Sequence, residues 1–399
     1  ICCDIVLHSA KSHHMEQAMT VSRRRMIALL GGGTILAATG GFAYAVTRQP
    51  TRAAQPWWLA GGYGDVRKNA LSFALLAPNP HNRQPWQVDL REPDALTLYA
   101  DTDRMLPHTD PANRQITIGL GGFLEVMRMA AADAGYRVEI TPFPEGENPA
   151  ALDGRPIART VFVEDQSVVP DPLFAFILDR RSTKEPYDMA RAVPEAALIK
   201  AGTSVRNARF GASVAPDDIA FWRELSHEAL RIEIVTPRTY MESVDLFRIG
   251  RREVEANPDG IDFSGPMFEA LHLTGMFSRE VAADQSSQAY QAGLDAVYAN
   301  ADTAMGHVWL VTAGNTRVDQ LSAGADWVRL NLALNAAGIA TQPLSQALQE
   351  YPEMAGPYAE IHSRLAPEGG TVQMFARVGY GPDVGQSPRW PLEAKIMNA

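Results

Sequence analysis

The order of apolar and polar residues in the first part of the chain predicts alternating helices and strands. In two segments apolar residues recur every three or four positions, as in amphipathic helices, and Gly135 closes the second segment. Four shorter segments have the pattern of strands, and Pro93 and Asp94 mark the turn of an antiparallel pair. The predicted elements are helices at 66–76 and 116–134 and strands at 86–90, 96–99, 136–140 and 158–163.

The same order of elements recurs in the second part of the chain. A helix at 324–337 is closed by Gly338, an apolar segment follows at 339–341, and 372–380 matches the earlier strand at 158–163. Aligning Gly121 with Gly324 produces three further identities: Ala130 with Ala333, Ala134 with Ala337, and Gly135 with Gly338. We therefore predict an internal duplication with halves at 65–165 and 166–399 and a boundary near 166–172.

The first 64 residues predict an export signal followed by a linker at 46–64. Residues 1–18 are interpreted as an upstream or non-native extension, because Met15 and Met19 are both suitable starts. Within 19–45, basic residues precede an apolar, glycine-rich run that ends in an A-x-A sequence, which is typical of a secretory signal. The Ser22-Arg23-Arg24 pattern resembles a twin-arginine signal, and a membrane anchor is the alternative.

This signal sets the expected location of the protein. We expect it to use the twin-arginine export machinery and to be periplasmic or exported, with a membrane contact only through the N-terminal segment. An uncleaved signal would leave the protein membrane-anchored.

Composition narrows the classes of function. The chain has 399 residues, of which 46 % are hydrophobic and 21 % charged, and its net charge of −10 argues against a nucleic-acid-binding surface. The nine histidines are scattered without the spacing of metal ligands, so we expect no metal site. The only two cysteines, Cys2 and Cys3, are adjacent, so we expect no thiol redox chemistry in the folded region.

A basic segment offers a candidate anion site. Arg180, Arg181 and Lys184 are cationic, Ser182 and Thr183 carry hydroxyl groups, and all five lie within five consecutive positions. A phosphate monoester is bound well by guanidinium groups together with a hydroxyl. A solvated basic turn is the alternative interpretation of such a run.

A second segment, at 77–86, has a different character. Two prolines bracket a set of polar residues that can present donors and acceptors from a rigid loop: Asn79, His81, Asn82 and Gln84. Such groups suit the pyrimidine edge of a flavin, where carbonyl and N–H groups alternate. An ordinary helix-to-strand turn is the alternative.

Together the two segments resemble the FMN-dependent nitroreductase family. The family motifs A-P-S-x-x-N-x-Q-P-W and R-R-S-x-R are similar to residues 77–86 and 180–184. The resemblance to its two-domain Acg-type FMN-binding branch spans about 65–392. It includes Asp101 to Arg114, Gly324 to Gln346 and Gly379 to Arg389. In the family the two motifs come from different subunits, whereas here both lie on one chain.

The resemblance implies a fold, a cofactor and a set of site residues. The implied fold is α+β, with two half-domains, each an antiparallel-rich mixed sheet flanked by helices, docked as a nitroreductase-like pseudo-dimer that functions as a monomer. One FMN per chain is implied. The residues assigned to its phosphate and ribityl chain are Arg180, Ser182, Lys184 and Arg389. Those assigned to its ring are Pro78, Asn79, Asn82, Pro343, Leu344 and Ser345.

The implied activity is FMN-dependent oxidoreduction. Hydride would pass through flavin N5 from NADH or NADPH to a small electrophilic or aromatic acceptor, and no side chain is assigned a catalytic role. The alternative is a protein that sequesters or stores FMN without turnover. The sequence departs from the family at Asn79, where the motif has Ser, and at Ser345-Gln346, where P-x-E-G has Glu and Gly.

The segment at 257–288 interrupts the repeated pattern. It is rich in Asp, Gly and Ser and carries several large apolar residues, among them Phe268, Met276 and Phe277. We interpret it either as a lid over a ligand or as a helical hairpin packed on the core.

Overall fold

The computed structural model describes residues 49–397, which form an α+β chain as expected. The helices are α1 Thr51–Leu59, α2 Val66–Ala74, α3 Arg114–Asp133, α4 Glu195–Gly202, α5 Pro216–Val235, α6 Pro237–Asp245, α7 Gly250–Ala256, α8 Pro266–Leu273, α9 Arg279–Ala283, α10 Gln288–Asp302, α11 Arg317–Ala336 and α12 Ala355–Leu365. The strands are β1 Trp86–Asp89, β2 Ala95–Ala100, β3 Tyr136–Pro142, β4 Pro156–Glu164, β5 Arg209–Ser213, β6 Phe247–Ile249, β7 Ile261–Phe263, β8 Gly306–Thr312, β9 Ala340–Pro343 and β10 Thr371–Gly379.

Two four-stranded sheets have the same topology. Their strand orders are β1-β2-β4-β3 and β5-β8-β10-β9, so each strand of the first sheet has a counterpart in the second. All pairings within these two sheets are antiparallel. The expected mixed sheets are therefore wrong in detail, and parallel pairing between named strands occurs only in the small β6–β7 sheet of the described chain. Neighbouring strands are antiparallel here because the turns and helices that connect the strands bring the chain back in the opposite direction.

The long helices α3 and α11 cross at two glycines. A Cβ atom on Gly121 would overlap the carbonyl oxygen of Leu321, and one on Gly324 would overlap that of Ile118. The contact is reciprocal, because Ile118 precedes Gly121 by three positions as Leu321 precedes Gly324. Only glycine allows the two backbones to approach so closely. Reciprocal contacts and matching sheets are what a duplicated chain would show, and the duplication itself stays a prediction.

The core of the first sheet includes residues from the second half of the chain. Trp86, Leu98 and Phe123 are fully buried there, and Leu321 and Val328 of α11 belong to the same cluster. At the other end, Ile396 forms a parallel bridge with Val88 of β1. The C-terminal segment therefore lies on the first sheet, so the two predicted halves share a core.

Two predicted boundaries are wrong. The expected linker at 46–64 contains α1, because Ala53, Pro56 and Trp57 have helical spacing and bury one face. The helix predicted at 324–337 begins seven residues earlier, at Arg317. Its start is fixed by a capping box between Thr316 and Asp319.

Phenylalanines of the 257–288 segment form a small aromatic cluster together with Phe247. The Phe263 ring lies 4.6 Å from that of Phe247 and 5.0 Å from those of Phe268 and Phe277. Phe268 and Phe277 are buried, whereas Met276 is exposed. These phenylalanines cover one another, so their burial does not require a ligand beneath them. The lid and the packed hairpin both stay predictions.

The predictions for residues 1–18, for the signal at 19–45 and for Cys2 and Cys3 concern residues outside the described part of the chain. Among residues 49–397, no helix is long and apolar enough to span a bilayer. In the same part of the chain, no three His, Cys, Asp or Glu side chains are grouped so as to hold a metal ion.

Candidate functional site

Two buried arginines from distant segments meet at one backbone oxygen. Arg180 Nη2 donates to the Leu76 carbonyl at 3.1 Å, and Arg389 Nη2 donates to the same oxygen at 3.2 Å. Arg389 Nε also donates to the Leu75 carbonyl at 2.8 Å. The end of α2 therefore gathers two of the predicted phosphate ligands, although they are more than 200 positions apart in the sequence.

Within residues 49–397, neither arginine forms an ion pair with an acidic side chain. Arg180 donates to Asn331 Oδ1 at 3.1 Å, and Arg389 donates to Asn82 Oδ1 at 2.7 Å, so these partners are neutral. Burial, and then the neighbouring Arg181, lowers the pKa of Arg180 to about 10. Burial, and then Arg180 and Arg181, lowers the pKa of Arg389 to about 9. Both groups stay charged at neutral pH, so the site is strongly electropositive.

Ser182 and Lys184 lie in the same segment with unused donors. Within residues 49–397, neither the Ser182 hydroxyl nor the Lys184 ammonium forms a side-chain hydrogen bond or an ion pair. The Lys184 side chain is solvent-accessible, yet burial among protein atoms lowers the pKa of its ammonium, and Glu233 opposes that change. Both properties are expected of a group on the wall of a recess.

The backbone of the first predicted segment is unusual. His81, Asn82 and Gln84 have φ angles of 46°, 52° and 50°, in the left-handed region that non-glycine residues rarely adopt. Asn79 stabilises the loop, because its Oδ1 accepts from Gln84 N at 2.7 Å and its Nδ2 donates to the Ala77 carbonyl at 3.1 Å. Strain of this kind is frequent at ligand sites. The Asn79 amide is thus used within the loop.

Pro78, Asn79 and Asn82 are held between α3 and the C-terminal segment. A Cβ on Gly119 of α3 would lie 3.2 Å from Asn79 Cβ, so the loop rests on that helix. Asn82 Nδ2 donates to the Pro388 carbonyl at 3.0 Å. This bond and the one between Asn82 and Arg389 join the loop predicted to border the flavin ring to the residues predicted to bind its phosphate.

The third set of predicted site residues, 343–345, begins at the last residue of β9. Thr183 N donates to the Thr341 carbonyl at 3.0 Å, and Asn331 bridges Arg180 to the Thr341 hydroxyl. The basic segment therefore lies beside β9, which ends at Pro343. Ser345 is partly exposed, but the Leu344 side chain is buried in the core with Trp222 and Phe375. At Leu344 it is therefore the backbone, and not the side chain, that is available to a ligand, and the assignment of 343–345 to the ring stays a prediction.

Sequence reasoning missed three residues of this site, Asn331, Trp57 and Glu233, and assigned no charge state to His81. Asn331 links Arg180 to Thr341 of β9. Trp57 lies under the guanidinium groups of Arg181 and Arg389, with its ring centroid 4.8 and 5.4 Å from their central carbon atoms. His81 faces Lys184, and burial lowers its pKa to about 4, so its ring is neutral. Glu233 approaches Lys184 from α5. The sequence held no signal for Asn331 or Glu233, because each lies within an ordinary helical pattern.

Comparison with known proteins points to the same family as the motifs. No known family profile matches the sequence. The chain is similar to Acg of Mycobacterium tuberculosis. The two are 26 % identical over 349 residues, which covers 82 % of this chain and 94 % of Acg. That relative is named, provisionally, an NAD(P)H nitroreductase.

Solved structures give weaker similarities. The FMN-dependent nitroreductase NfnB of Mycobacterium smegmatis, solved with NADPH, matches 54 % of this chain and 92 % of its own at 21 % identity, with a TM-score of 0.33. A nitroreductase-type protein of Anabaena variabilis matches 88 % of this chain and 93 % of its own at 12 % identity, with a TM-score of 0.38.

Proposed function

We propose that the protein is an FMN-dependent oxidoreductase of the nitroreductase type. The observation that carries the proposal is the pair of buried guanidinium groups, Arg180 and Arg389, which have neutral hydrogen-bond partners only. Charge-assisted hydrogen bonds contribute about 1.5–3 kcal/mol each. Two such cations beside the donors of Ser182 and Lys184 are a donor set that fits the FMN phosphate. The nitroreductase-like motifs and the similarity to Acg support the same cofactor.

The residues of the chain would divide the work of binding. Arg180, Arg389, Ser182 and Lys184 would hold the phosphate and ribityl chain. Pro78, Asn79, Asn82 and the backbone at 343–345 would border the ring. FMN would supply the redox chemistry by exchanging hydride at N5 with a nicotinamide donor and a small electrophilic or aromatic acceptor. The protein would supply position and electrostatics through these residues.

Flavin reconstitution tests the cofactor assignment. Wild type, Arg180→Ala, Arg389→Ala and the surface control Arg231→Ala would be loaded with FMN, desalted and examined by absorbance. We expect one FMN per wild-type and Arg231→Ala chain, and at least a tenfold loss of affinity in each of the other two variants. Arg231 pairs with Glu228 on the exposed face of α5, so its removal leaves the site intact. Two flavins per chain, or full retention in an Arg180→Ala, Arg389→Ala double variant, would refute the single-site assignment.

Anaerobic mixing of the flavin-loaded protein with NADH and NADPH separates turnover from storage. Bleaching within seconds, followed by reoxidation by a nitroaromatic acceptor, is the outcome expected of the oxidoreductase. A protein that keeps its flavin and stays yellow with both donors would favour the alternative, an FMN-sequestering protein.

A further inference from the structure

A buried acid stands beside the candidate site without a role in it. Glu233 lies near the end of α5 and is 8 % exposed. Its Oε2 accepts from Gln349 Nε2 at 2.7 Å, and Gln346 also donates to this carboxyl group. Both glutamines belong to the segment that follows β9. The carboxyl group therefore fixes that segment from behind.

The charged surroundings of Glu233 come from three elements. Lys184 of the basic segment attracts it, Glu242 of α6 repels it, and Tyr351 is buried nearby. Glu242 is held in place by hydrogen bonds, since it accepts from the backbone N–H groups of His108 and Thr109 at 2.9 Å. Lys184 is thus the cation that acts on Glu233 among these groups, and the His81 ring near Lys184 is neutral because burial lowers its pKa to about 4.

Glu233 lies at the end of the site where the sequence lacks the acid of the resembling motif. The segment after Pro343 reads Leu344-Ser345-Gln346, where the resembling motif has an acid and a glycine. Gln346 stands at the glycine position and reaches back to Glu233. An acid is therefore present at this end of the site, but α5 supplies it.

We propose that Glu233 is a positioning residue of the flavin site, which holds Gln346 and Gln349 in place and balances the charge of Lys184. This inference rests on the proposed function. Burial, opposed by the two amides, raises the pKa of Glu233 to about 7. Below that pH the carboxyl group is neutral and Lys184 acts alone; above it the two charges offset each other. Glu233 therefore makes the electrostatic potential at the ring depend on pH near neutrality.

The reduction potential of the bound flavin reports this charge directly. Reduction adds negative charge to the ring, so an ionised Glu233 should lower the midpoint potential and a neutral one should not. Midpoint potentials of the full, FMN-loaded chain would be measured from pH 5.5 to 8.5 for wild type and Glu233→Gln. Glu224→Gln is the matched control, because Glu224 is an exposed acid on the same helix.

We expect wild type and Glu233→Gln to agree at pH 5.5, and the Glu233→Gln potential to lie higher at pH 8.5. Glu224→Gln should follow wild type throughout. Curves for wild type and Glu233→Gln that coincide at every pH overturn the inference while leaving the proposed function intact. A wild-type chain that binds no flavin overturns the proposed function and this inference together.

A second variant keeps the test decisive if Glu233→Gln does not fold. Lys184→Gln removes the cation that favours the charged carboxyl group, so the bend of the potential curve should move to higher pH. A bend at an unchanged pH in Lys184→Gln would refute the proposed charge balance.

Discussion

Arg114 and Arg317 hold equivalent positions and bind across the two halves. Each is the first residue of a long helix, and each is 1 % exposed. Arg114 donates to the carbonyls of Leu348 and Gln373 in the second half, at 2.7 and 2.9 Å. Arg317 Nε donates to the Asn148 carbonyl in the first half at 2.9 Å. The two arginines therefore join the halves through reciprocal hydrogen bonds.

Arg317→Met should therefore destabilise the whole chain. It leaves the buried Gln320 Oε1 and the partly buried Asn148 carbonyl without this donor, and an unpaired buried acceptor costs about 1–3 kcal/mol. We expect a loss of about 2–4 kcal/mol in the free energy of unfolding by urea. Arg231→Met, at an exposed position, should lose less than about 0.5 kcal/mol. Equal losses in the two variants would contradict the assigned role.

The helix crossing gives a sharper prediction. Gly121→Ala places a methyl group against the Leu321 carbonyl, so the helices must separate or unfold locally. We expect the melting temperature to fall by an amount equivalent to about 2 kcal/mol or more. Gly356→Ala is the control, because a Cβ at this position in α12 meets nothing within 4 Å. It should be neutral or stabilising, since alanine favours a helix over glycine. Similar melting temperatures for both variants would mean that the crossing can relax.

From the raised pKa of Glu233 we expect the stability difference between wild type and Glu233→Gln to depend on pH. Its pKa in the folded protein, about 7, lies above the ordinary value of 4.5. The folded state therefore binds this proton more tightly, and wild-type stability falls as pH rises between these values. Glu233→Gln lacks this loss, so its stability relative to wild type should rise by on the order of 3 kcal/mol from pH 4.5 to 8. Urea unfolding of the flavin-free proteins measures it; a difference independent of pH would refute the shift.

The 257–288 segment can be tested at residues that the aromatic cluster does not use. Leu273 and Met276 are exposed, 72 % and 38 %, so their removal should not affect folding. If the segment gates a ligand, Leu273→Ala with Met276→Ala should speed reduction by dithionite and reoxidation by oxygen at unchanged melting temperature. Phe268→Ala with Phe277→Ala should instead lower the melting temperature, since buried Phe→Ala changes cost about 3–5 kcal/mol each. Unchanged rates in the surface pair would reject the lid.

The predicted export signal lies in a part of the chain that the structure does not describe. We propose that Arg23→Lys with Arg24→Lys leaves flavin-loaded protein in the cytoplasm, because the receptor for twin-arginine signals requires the paired arginines. Fractionation of cells that express the variant and wild type gives the result. Undiminished protein in the periplasm would show that the chain uses another route.

Local patterns predicted those elements whose neighbours in sequence are also their neighbours in space. β1 and β2 pair as expected, with Trp86 opposite Ala100, and α3 agrees with its prediction to within two residues. α11 was predicted too short because its first turns are buried by polar contacts, such as those of Arg317, and not by an apolar stripe. The convergence of Arg180 and Arg389 followed from motif resemblance. Their shared oxygen, Leu76 O, and the approach of Glu233 follow from tertiary contacts that no local pattern encodes.

The reciprocal glycine crossing has a consequence for how this chain can change. In a dimer of identical subunits, every substitution at a two-fold interface appears twice and must be tolerated in both copies. Here Gly121 and Gly324 are encoded separately, so one side of the crossing can alter while the other keeps its contact. The same freedom extends to the predicted ligand positions, which differ between the two predicted halves. A single asymmetric pocket is therefore accessible to this chain in a way that a symmetric pair of subunits could not reach.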